Sequence, residues 1–504
     1  MKVVVSGNVW LPIDELSGQQ IMNIKKSLTV YPKRTTDIAS KADPSPICMY
    51  DERENVLGVP RAWYKKNVSK KHEEEIKVSY GGKMSNLTTR YKATGNFVEQ
   101  EAVIRTFLAR MDGKQWDGFL LKAPCSFGKT PTALEFARRV GRKTLIIVHK
   151  EFFLKQWKRR IKHFMPDAKV GIIRQNKCEF EDRDFVIAML QSLVRDKDSH
   201  KYPERIYQSE FGIVISDECH RIAASSWSSV LPRFNAAWRI GLTATPRRKD
   251  GAQDVFFNHI SDITYSAKTK AQVPGLRVLK THSYLRPIIR GNYYVSVDNL
   301  NSAQILTQLG NDQFRAKDIV DQLVLAVQNG RKIIVVSERL SHLKLMSDML
   351  MNSLFNLNLP FEPTIDFCTG EWFSGEVWEK SNSRHKKGDP KMVKRTENDF
   401  DKAERANVIF ATKQSIEEGF DVEALDVLVL SMPMGDVEQI VGRVRRWCYK
   451  DKEKCERYCS WRTGNCKEKP KPIVVDVVDE DIPQLLPKWK RRQRFYESIG
   501  IKLP

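Results

Sequence analysis

The sequence predicts an α/β protein in which two α/β domains, each with a parallel sheet, follow a small mixed α/β unit. Length is the first reason, because 504 residues exceed what a single hydrophobic core usually organises. The second reason is that short apolar runs alternate with amphipathic helical patterns from Gly95 onward, which is typical of a parallel sheet with crossover helices. The third is that the same alternation starts again near residue 332. We therefore expect two consecutive domains of similar architecture.

The composition favours a folded protein with a polyanionic partner. Hydrophobic residues make up 41% of the chain and charged residues 29%, which is the balance of a globular protein. Lysine and arginine total 84 against 62 acidic residues, and the net charge of +22 favours a nucleic acid as partner, with a generally basic surface as the alternative. No apolar signal segment and no run of about 20 apolar residues is present. We therefore expect a cytoplasmic protein with no membrane partner, whose nine cysteines are reduced.

The small mixed unit is predicted over residues 1–94, where it would recognise the substrate. Val3, Val5 and Val9 alternate as in a single strand, and an amphipathic helix follows. The polar, lysine-rich stretch between residues 65 and 92 indicates a linker or a flexible arm.

The first α/β domain is predicted over residues 95–270, a linker over 271–300, the second α/β domain over 301–484, and a basic tail over 485–504. Each domain contains four apolar runs that predict buried parallel strands. These runs are Phe119 to Leu121, Thr144 to Val148, Phe185 to Met189, Phe211 to Ile215, Lys332 to Val336, Val408 to Ala411, Val427 to Leu430 and Ile473 to Val475.

A phosphate-binding loop is predicted directly after the first of these strands. The segment Ala123-Pro-Cys-Ser-Phe-Gly-Lys-Thr130 joins the strand to a helical pattern, which is the context that such a loop requires. Backbone N–H groups and the helix N-terminus would hold the phosphates, Lys129 would reach the β and γ oxygens, and Thr130 would bind Mg²⁺. The predicted nucleotide contacts of the loop are Ser126, Gly128, Lys129 and Thr130.

Two carboxylates follow the strand that begins near Phe211. Asp217 and Glu218 stand at the carboxyl edge of the predicted parallel sheet, where such folds bind ligands. Asp217 would hold Mg²⁺, and Glu218 would orient and deprotonate the water that attacks the phosphate. A capped turn with surface acids is the alternative, but it does not explain the apolar strand before the pair.

A basic helix is predicted in the second domain. Gln439, Gly442, Arg443 and Arg446 are spaced three or four residues apart, so they share one helix face. Arginines on such a face can stabilise the charge that develops on a γ-phosphate, as arginine fingers do.

Five motifs in this order resemble those of the superfamily 2 DExH helicases, over residues 95 to 480. They are the phosphate loop, Asp217-Glu-Cys-His, Gly241-Leu-Thr-Ala-Thr-Pro-Arg-Arg-Lys-Asp-Gly251, Glu418-Gly-Phe-Asp421 and Gln439 to Arg446. The resemblance implies two RecA-like domains and an ATP hydrolase that uses Mg²⁺. It further implies that Gln100 reads adenine, that Gly419, Asp421 and Gln439 contact the nucleotide, and that Thr243 and Thr245 couple hydrolysis to strand movement.

The resemblance also implies the residues that hold the nucleic-acid strand, mainly through its phosphates. These candidates are His149, Lys150, Gln191, Ser192, Arg339, Thr369, Gly370 and Thr412. The stretch Gly241 to Gly251 is similar to that of double-strand DNA translocases and phage UvsW-like branch-migration helicases. That similarity implies DNA as partner, 3′-to-5′ polarity, action at forks or four-way junctions and, for a phage-encoded chain, the host cytoplasm. No obligate protein partner is evident.

Three other functions remain open from the sequence: an RNA helicase, an ATP-switched clamp on duplex DNA that does not unwind it, and a restriction-system motor subunit. The intact Glu218 and the two arginines argue against a clamp that cannot hydrolyse ATP.

Two segments of the second domain look like insertions. The stretch 371–405 is basic and could contact duplex arms, or it could be a solvated loop. The stretch 447–470 contains four cysteines that suit a tetrahedral Zn²⁺, although their spacings of six, three and six residues are unusual, and reduced cysteines or an iron–sulfur cluster are the alternatives. These cysteines are Cys448, Cys455, Cys459 and Cys466. The basic, aromatic tail suits stacking on a base or packing of a helix on the sheet, and we favour packing.

Overall fold

The computed structural model describes most of the chain, and every structural statement below concerns the described part. The chain divides into two compact units, Met1–Lys270 and Ala271–Pro504. No helix within the described ranges is both long enough and apolar enough to cross a membrane. The described residues are 1–33, 45–68, 72–93, 98–124, 127–199, 201–221, 224–248, 250–268, 272–290, 293–355, 357–377, 388, 390–417, 422, 424–445 and 469–503.

The first unit begins with a five-stranded sheet in the order β5-β6-β2-β1-β7. Its strands and helices, together with a two-stranded β3-β4 pair, are β1 (Lys2–Val5), β2 (Val9–Pro12), α1 (Gly18–Ser27), β3 (Thr29–Val30), β4 (Ile47–Cys48), β5 (Asp51–Arg53), β6 (Val56–Val59), α2 (Arg61–Asn67) and β7 (Glu73–Ile76).

The single strand predicted through Val3, Val5 and Val9 is wrong, because a turn separates β1 from β2 and the two strands pair antiparallel. Gly7 lies in this turn, and a Cβ atom there would stand 1.7 Å from the carbonyl oxygen of Pro232. Only glycine lets the backbone at position 7 approach Pro232 this closely, and the chain reverses direction there.

The linker or flexible arm predicted between residues 65 and 92 is also wrong. Strand β7 lies inside this stretch and pairs in parallel with β1. Ser79 and Lys83 then form β-bridges with Ala236 and Arg142. The polar composition reflects one exposed side of a segment whose backbone is paired with its neighbours.

The rest of the first unit is an eight-stranded sheet in the order β11-β10-β12-β9-β13-β14-β8-β15, with helices between the strands. All neighbouring strands are parallel except β10 and β11. The elements are α3 (Val98–Met111), β8 (Asp117–Lys122), α4 (Lys129–Val140), β9 (Thr144–Val148), α5 (Glu151–Phe164), β10 (Val170–Arg174), β11 (Lys177–Cys178), β12 (Phe185–Met189), α6 (Leu190–Ser199), α7 (Arg205–Gln208), β13 (Ile213–Asp217), α8 (Ala224–Val230), β14 (Trp238–Thr243), α9 (Asp254–His259) and β15 (Ile263–Ser266).

The second unit contains a six-stranded parallel sheet in the order β16-β25-β24-β19-β23-β20, and two separate hairpins, β17-β18 and β21-β22. Its elements are β16 (Gly275–Thr281), β17 (Ile288–Arg290), β18 (Tyr293–Val295), α10 (Ser302–Asn311), α11 (Gln313–Gln328), β19 (Ile333–Ser337), α12 (Leu340–Phe355), β20 (Ile365–Cys368), β21 (Glu371–Val377), β22 (Pro390–Lys394), α13 (Glu397–Arg405), β23 (Val408–Thr412), α14 (Lys413–Glu417), β24 (Val427–Leu430), α15 (Glu438–Val444), β25 (Ile473–Asp479) and α16 (Leu486–Ser498).

Both large sheets are buried on both faces, as expected for parallel sheets covered by helices. Along β13, Val214 packs into one core cluster while Ile213 and Ile215 pack into the cluster on the other face. In β19, Val335 and Val336 are likewise divided between the two clusters of the second unit. Continuous apolar runs therefore identify these strands, and the predicted fold class of two RecA-like parallel-sheet domains with a small N-terminal α/β domain is confirmed.

The stretch 371–405 has two parts. Strands β21 and β22 form an antiparallel hairpin outside the main sheet. Helix α13 then crosses from β20 to β23, and its Ala403 is buried in the core. Among the described residues of this stretch, those of the hairpin thus lie outside the RecA-like sheet.

The tail packs as a helix, as favoured from its sequence. Arg492 and Tyr496 of α16 are buried and both donate hydrogen bonds to Asp476 of β25, at 2.8 and 2.7 Å.

Candidate functional site

The phosphate loop joins β8 to α4. Gly128 precedes the helix with φ +85°, in the left-handed region that glycine adopts at little cost. Lys129 is the first residue of α4 and Thr130 the second, so both stand at the helix N-terminus, where backbone N–H groups favour anions. Ser126 lies outside the described residues.

The catalytic pair predicted from the two motifs is brought together. Lys129 Nζ lies 3.4 Å from Glu218 Oε1 and also donates a hydrogen bond of 3.2 Å to the Ala123 carbonyl oxygen. The two side chains are only 11% and 15% exposed. In a partly desolvated site their attraction is stronger than in water, so Lys129 and Glu218 fix each other's position.

Glu218 has a strained backbone. Its φ is +46°, which is uncommon for a residue other than glycine. Such strain costs of order 1–3 kcal/mol and clusters at functional sites. Here it turns the carboxylate from the end of β13 toward the phosphate loop.

Asp217 ends β13 and is buried. Trp157 of α5 donates its indole N–H to Asp217 Oδ2 at 2.8 Å. Burial, together with the neighbouring Glu218 carboxylate, raises the pKa of Asp217 to about 6. The desolvated Asp217 carboxylate and the Thr130 hydroxyl are the kind of oxygen donors that Mg²⁺ prefers, so these residues fit the cation that the resemblance implies.

His220 connects the acidic motif to the Thr-Ala-Thr motif. Its Nδ1 lies 2.8 Å from Thr243 Oγ1 and its Nε2 lies 3.1 Å from Thr245 Oγ1. Arg248 donates a hydrogen bond of 2.7 Å to the His220 carbonyl oxygen. His220 Nδ1 also lies 3.4 Å from Glu218 Oε2, so one imidazole ring contacts Glu218 and both threonines.

Gln100 lies against the phosphate loop. It is buried, and its Nε2 donates a hydrogen bond of 2.5 Å to the Phe127 carbonyl oxygen. The amide thus supports the loop, and its predicted contact with adenine stays a prediction.

The nucleic-acid candidates of the first unit differ in their surroundings. His149 follows β9, and its carbonyl oxygen accepts a hydrogen bond of 2.6 Å from Gln191, so these two predicted contacts adjoin each other. Lys150 is the N-cap residue of α5. Ser192 is buried and its hydroxyl accepts the Gln175 backbone N–H at 2.9 Å, a structural bond that the sequence did not reveal.

The candidates of the second unit stand near the carboxyl ends of their strands. Arg339 follows β19 and donates to the Ala303 carbonyl oxygen at 3.1 Å. Thr369 follows β20, is buried, and donates to the Glu371 carbonyl oxygen at 2.7 Å, while the next residue, Gly370, is exposed. Thr412 ends β23, with its hydroxyl 2.8 Å from that of Ser415.

Helix α15 contains Gln439, Gly442 and Arg443. Arg443 donates a hydrogen bond of 3.1 Å to the Ile416 carbonyl oxygen of α14. Several predicted residues lie outside the described part of the chain, namely Gly419, Asp421, Arg446, Cys448, Cys455, Cys459 and Cys466. Among the residues that the structure does describe, no cluster of metal-binding side chains is found.

The sequence did not point to Trp157 or Arg248. Trp157 lies sixty positions from Asp217 in an amphipathic helical pattern, where an aromatic residue is expected to pack in the hydrophobic core. Arg248 belongs to the motif Gly241 to Gly251, but the sequence does not indicate its hydrogen bond to the His220 carbonyl oxygen.

Comparison with known proteins agrees with the motifs. Residues 96–248 match the family described as the type III restriction enzyme res subunit. A protein of Acanthamoeba polyphaga mimivirus named as an ATP-dependent RNA helicase is 25% identical over 491 residues, which cover 96% of this chain and 82% of that protein. A protein of Escherichia phage T5 named as a helicase is 24% identical over 335 residues, which cover 66% of this chain and 65% of that protein.

A solved structure, that of T4 UvsW, covers 99% of this chain and 98% of its own, with 15% identity and a TM-score of 0.37. The ordered motifs, the matched family and the helicase relatives are all consistent with the superfamily 2 helicases that the sequence resembles.

Proposed function

We propose that this protein is an ATP-dependent DNA helicase or translocase that moves 3′ to 5′ and unwinds or branch-migrates forks and four-way junctions. The observation that carries the proposal is the Lys129–Glu218 pair beside the phosphate loop, with Asp217 held by Trp157. This arrangement supports ATP hydrolysis, and the helicase family couples hydrolysis to movement on nucleic acid.

The chain's own residues divide the chemistry of hydrolysis. Lys129 leaves Glu218 to bind the β and γ oxygens, and the freed carboxylate orients a water and accepts its proton. When bound, Mg²⁺ neutralises charge on the phosphates, and Asp217 and Thr130 are the residues that would hold it. Arg443 and Arg446 stay predicted arginine fingers, and Gly419, Asp421 and Gln439 stay predicted nucleotide contacts.

DNA is proposed as the track because the motif Gly241 to Gly251 resembles that of DNA translocases, and because the net charge of +22 suits duplex phosphates. RNA is the second candidate, since the mimivirus relative that aligns with 96% of this chain is named as an RNA helicase. Phosphate contacts alone do not separate these substrates.

One experiment tests the proposal. The ATPase rate of the full chain is measured with single-stranded DNA, blunt duplex, fork, four-way junction and RNA duplex at one salt concentration. We expect the fork and the junction to stimulate hydrolysis most, at least tenfold over no nucleic acid. Equal or greater stimulation by RNA would favour the second candidate, and no stimulation by any of them would contradict both.

The zinc site remains a prediction from the sequence. Cys448, Cys455, Cys459 and Cys466 offer four thiolates, which suit tetrahedral Zn²⁺. Elemental analysis of purified protein is expected to give one zinc per chain, falling when two of the cysteines are changed to serine. Protein with neither stoichiometric zinc nor iron would end this hypothesis.

A further inference from the structure

A short β-hairpin in the second unit has one buried and one exposed face. Strands β17 and β18 pair antiparallel, with Ile288 opposite Val295 and Ile289 opposite Tyr294. Residues that stand opposite each other share a face. Ile288 and Val295 pack against the core, whereas Ile289 and Tyr294 are 68% and 63% exposed. We call the exposed pair the hairpin face.

The hairpin is held firmly at its base. Gln308 of α10 accepts the Arg286 backbone N–H and donates to the Arg286 carbonyl oxygen, both at 2.8 Å. Nearby, the Ser283 hydroxyl donates to Asp312, the N-cap residue of α11, at 3.0 Å. The hairpin face is therefore presented from an anchored base, so little conformational entropy is lost there when it binds a partner.

The hairpin adjoins a predicted nucleic-acid contact. The hairpin follows the carboxyl end of β16 and is anchored to α10. Arg339, which follows the carboxyl end of β19, donates a hydrogen bond to the Ala303 carbonyl oxygen of the same helix. Tyr284, which is 83% exposed, precedes the hairpin, and Phe314, which is 85% exposed, lies two residues after the Asp312 that bonds Ser283. Arg286, at the base of the hairpin, is exposed as well.

We propose that the hairpin face stacks on unpaired bases of the nucleic-acid strand, with Tyr294 as the stacking ring. The inference rests on the proposed function and adds a base contact to a site otherwise made of phosphate contacts. Aromatic rings stack on any base because every base has a π-face, and neighbouring cations hold the backbone. An exposed ring on a hairpin that begins two residues after the exposed Arg286, in a strongly basic chain, suits this partner.

The test compares two strands, an oligothymidine and the same oligomer with abasic sites, binding to the full chain. We expect the wild-type protein to bind the oligothymidine more tightly than the abasic strand, and Tyr294→Ala to reduce that ratio roughly tenfold. Ile289→Ala should reduce it less, and Tyr294→Phe should leave it unchanged. Phe355→Ala is the matched control, because Phe355 is 89% exposed at the other end of α12 from Arg339.

Two results would overturn the inference. If Tyr294→Ala keeps the wild-type ratio, the face does not contact bases. If sedimentation shows that the wild-type chain self-associates and Tyr294→Ala abolishes this, the face is a contact between copies. A wild-type chain that binds neither strand would instead contradict the proposed function, so the two failures can be told apart.

Discussion

Lys129 and Glu218 are the side chains on which we expect ATP turnover to depend most directly. Lys129→Ala removes the charge that is predicted to reach the phosphates, and Glu218→Gln removes the predicted base while keeping the shape of the side chain. Each should lower ATP turnover at least about 100-fold, because a general base alone contributes that much. A coupled-enzyme ATPase assay checks this. The control is Lys177→Ala, a change of an exposed lysine in the same unit.

Nucleic-acid binding should persist in both variants, since neither residue is a predicted strand contact. ATP turnover at the wild-type rate in either variant would remove these residues from the catalytic site.

Trp157 is expected to act through Asp217. Trp157→Phe removes the N–H that bonds the buried carboxylate, so Asp217 is held less firmly toward the cation. Loss of such a supporting bond typically costs ten- to 100-fold in metal affinity. We expect half-saturation of the ATPase to need about tenfold more Mg²⁺. Trp238→Phe, the same change in the same core cluster, is the control and should leave the Mg²⁺ requirement unchanged. An equal shift in both variants would show that the effect is one of packing.

The sequence predicted Lys129, Asp217 and Glu218 together, because each belongs to a local motif at the carboxyl end of a parallel strand. It did not predict the bond from Trp157, since contacts between distant positions depend on how α5 packs on the sheet. At Ser192 the resemblance predicts a contact with the nucleic-acid strand. The structure instead shows its hydroxyl buried and bonded to the Gln175 backbone N–H, a contact that no local motif indicates.

At the scale of elements, strands β21 and β22 form a hairpin that is separate from the six-stranded sheet of the second unit. Replacing residues 375–390 with Asn-Gly joins Ser374 to Lys391 by a two-residue turn, which suits an antiparallel hairpin. We expect single-strand-stimulated ATPase to be kept and fork unwinding to fall several-fold, because basic residues that could contact duplex arms are lost.

Gel assays of fork unwinding across a salt series provide the measurement. The shortened protein should also show a shallower salt dependence of junction binding. Unwinding at the parental rate at matched salt would mean that the hairpin has no role in substrate selection, and the N-terminal unit would be tested next.

Helix α16 is held by a buried ion pair. Arg492 Nε lies 2.8 Å from Asp476 Oδ2, and both residues are almost fully buried. Arg492→Leu leaves the Asp476 carboxylate buried without its cation, which typically costs about 3–5 kcal/mol. We expect a correspondingly lower urea midpoint for the second unit, with Arg494→Leu, an exposed change in the same helix, as control.

The double variant Asp476→Leu, Arg492→Leu should recover part of the loss, because no unpaired charge remains. If it is no more stable than Arg492→Leu alone, the ion pair is not what holds α16.

Elements were predicted well where both faces of a strand are apolar and less well elsewhere. The runs in β9, β12, β19 and β24 are continuous, short and rich in β-branched residues, which is typical of strands buried on both faces. The sequence assigns helix α13 to a basic insertion, because charged residues, Lys402 and Arg405 among them, dominate its composition. Its apolar side, formed by Phe400 and Ala403, is too short to give a clear helical pattern. In β7, polar residues hide a strand whose pairing depends on β1.

At the scale of the first unit, two buried arginines join the N-terminal sheet to the RecA-like domain. Arg239 donates to the carbonyl oxygens of Gly7, Leu231, Phe234 and His259 at 2.6 to 3.2 Å. Arg61 donates to the carbonyl oxygens of Ser6, Asn235 and Ala236. Burial lowers the pKa of Arg239 to about 9, but at neutral pH the guanidinium stays charged and donates to the backbone of both parts.

Removing this connection should unfold more than the N-terminal sheet. Arg239→Met leaves several buried carbonyl oxygens without a donor, and one such group costs about 1–3 kcal/mol. We expect the urea midpoint of the first unit to fall and ATP turnover to be lost on mild heating. Deleting residues 1–76 should give an aggregated protein, while Arg53→Ala, an exposed change, should be neutral. A stable, active truncated chain would contradict this.

The contact between Gly7 and Pro232 also limits how this chain can be re-engineered. Any larger residue at position 7 would overlap a backbone oxygen on the other side, which no change of rotamer can relieve. A recognition unit transplanted from another protein would therefore need its own glycine turn and an arginine at the position of Arg61. Substitutions at Gly7 or Arg61 should therefore be tolerated only together with matching changes in residues 232–236. Chimeras that are joined at residue 94 and lack this glycine and arginine should fail to fold.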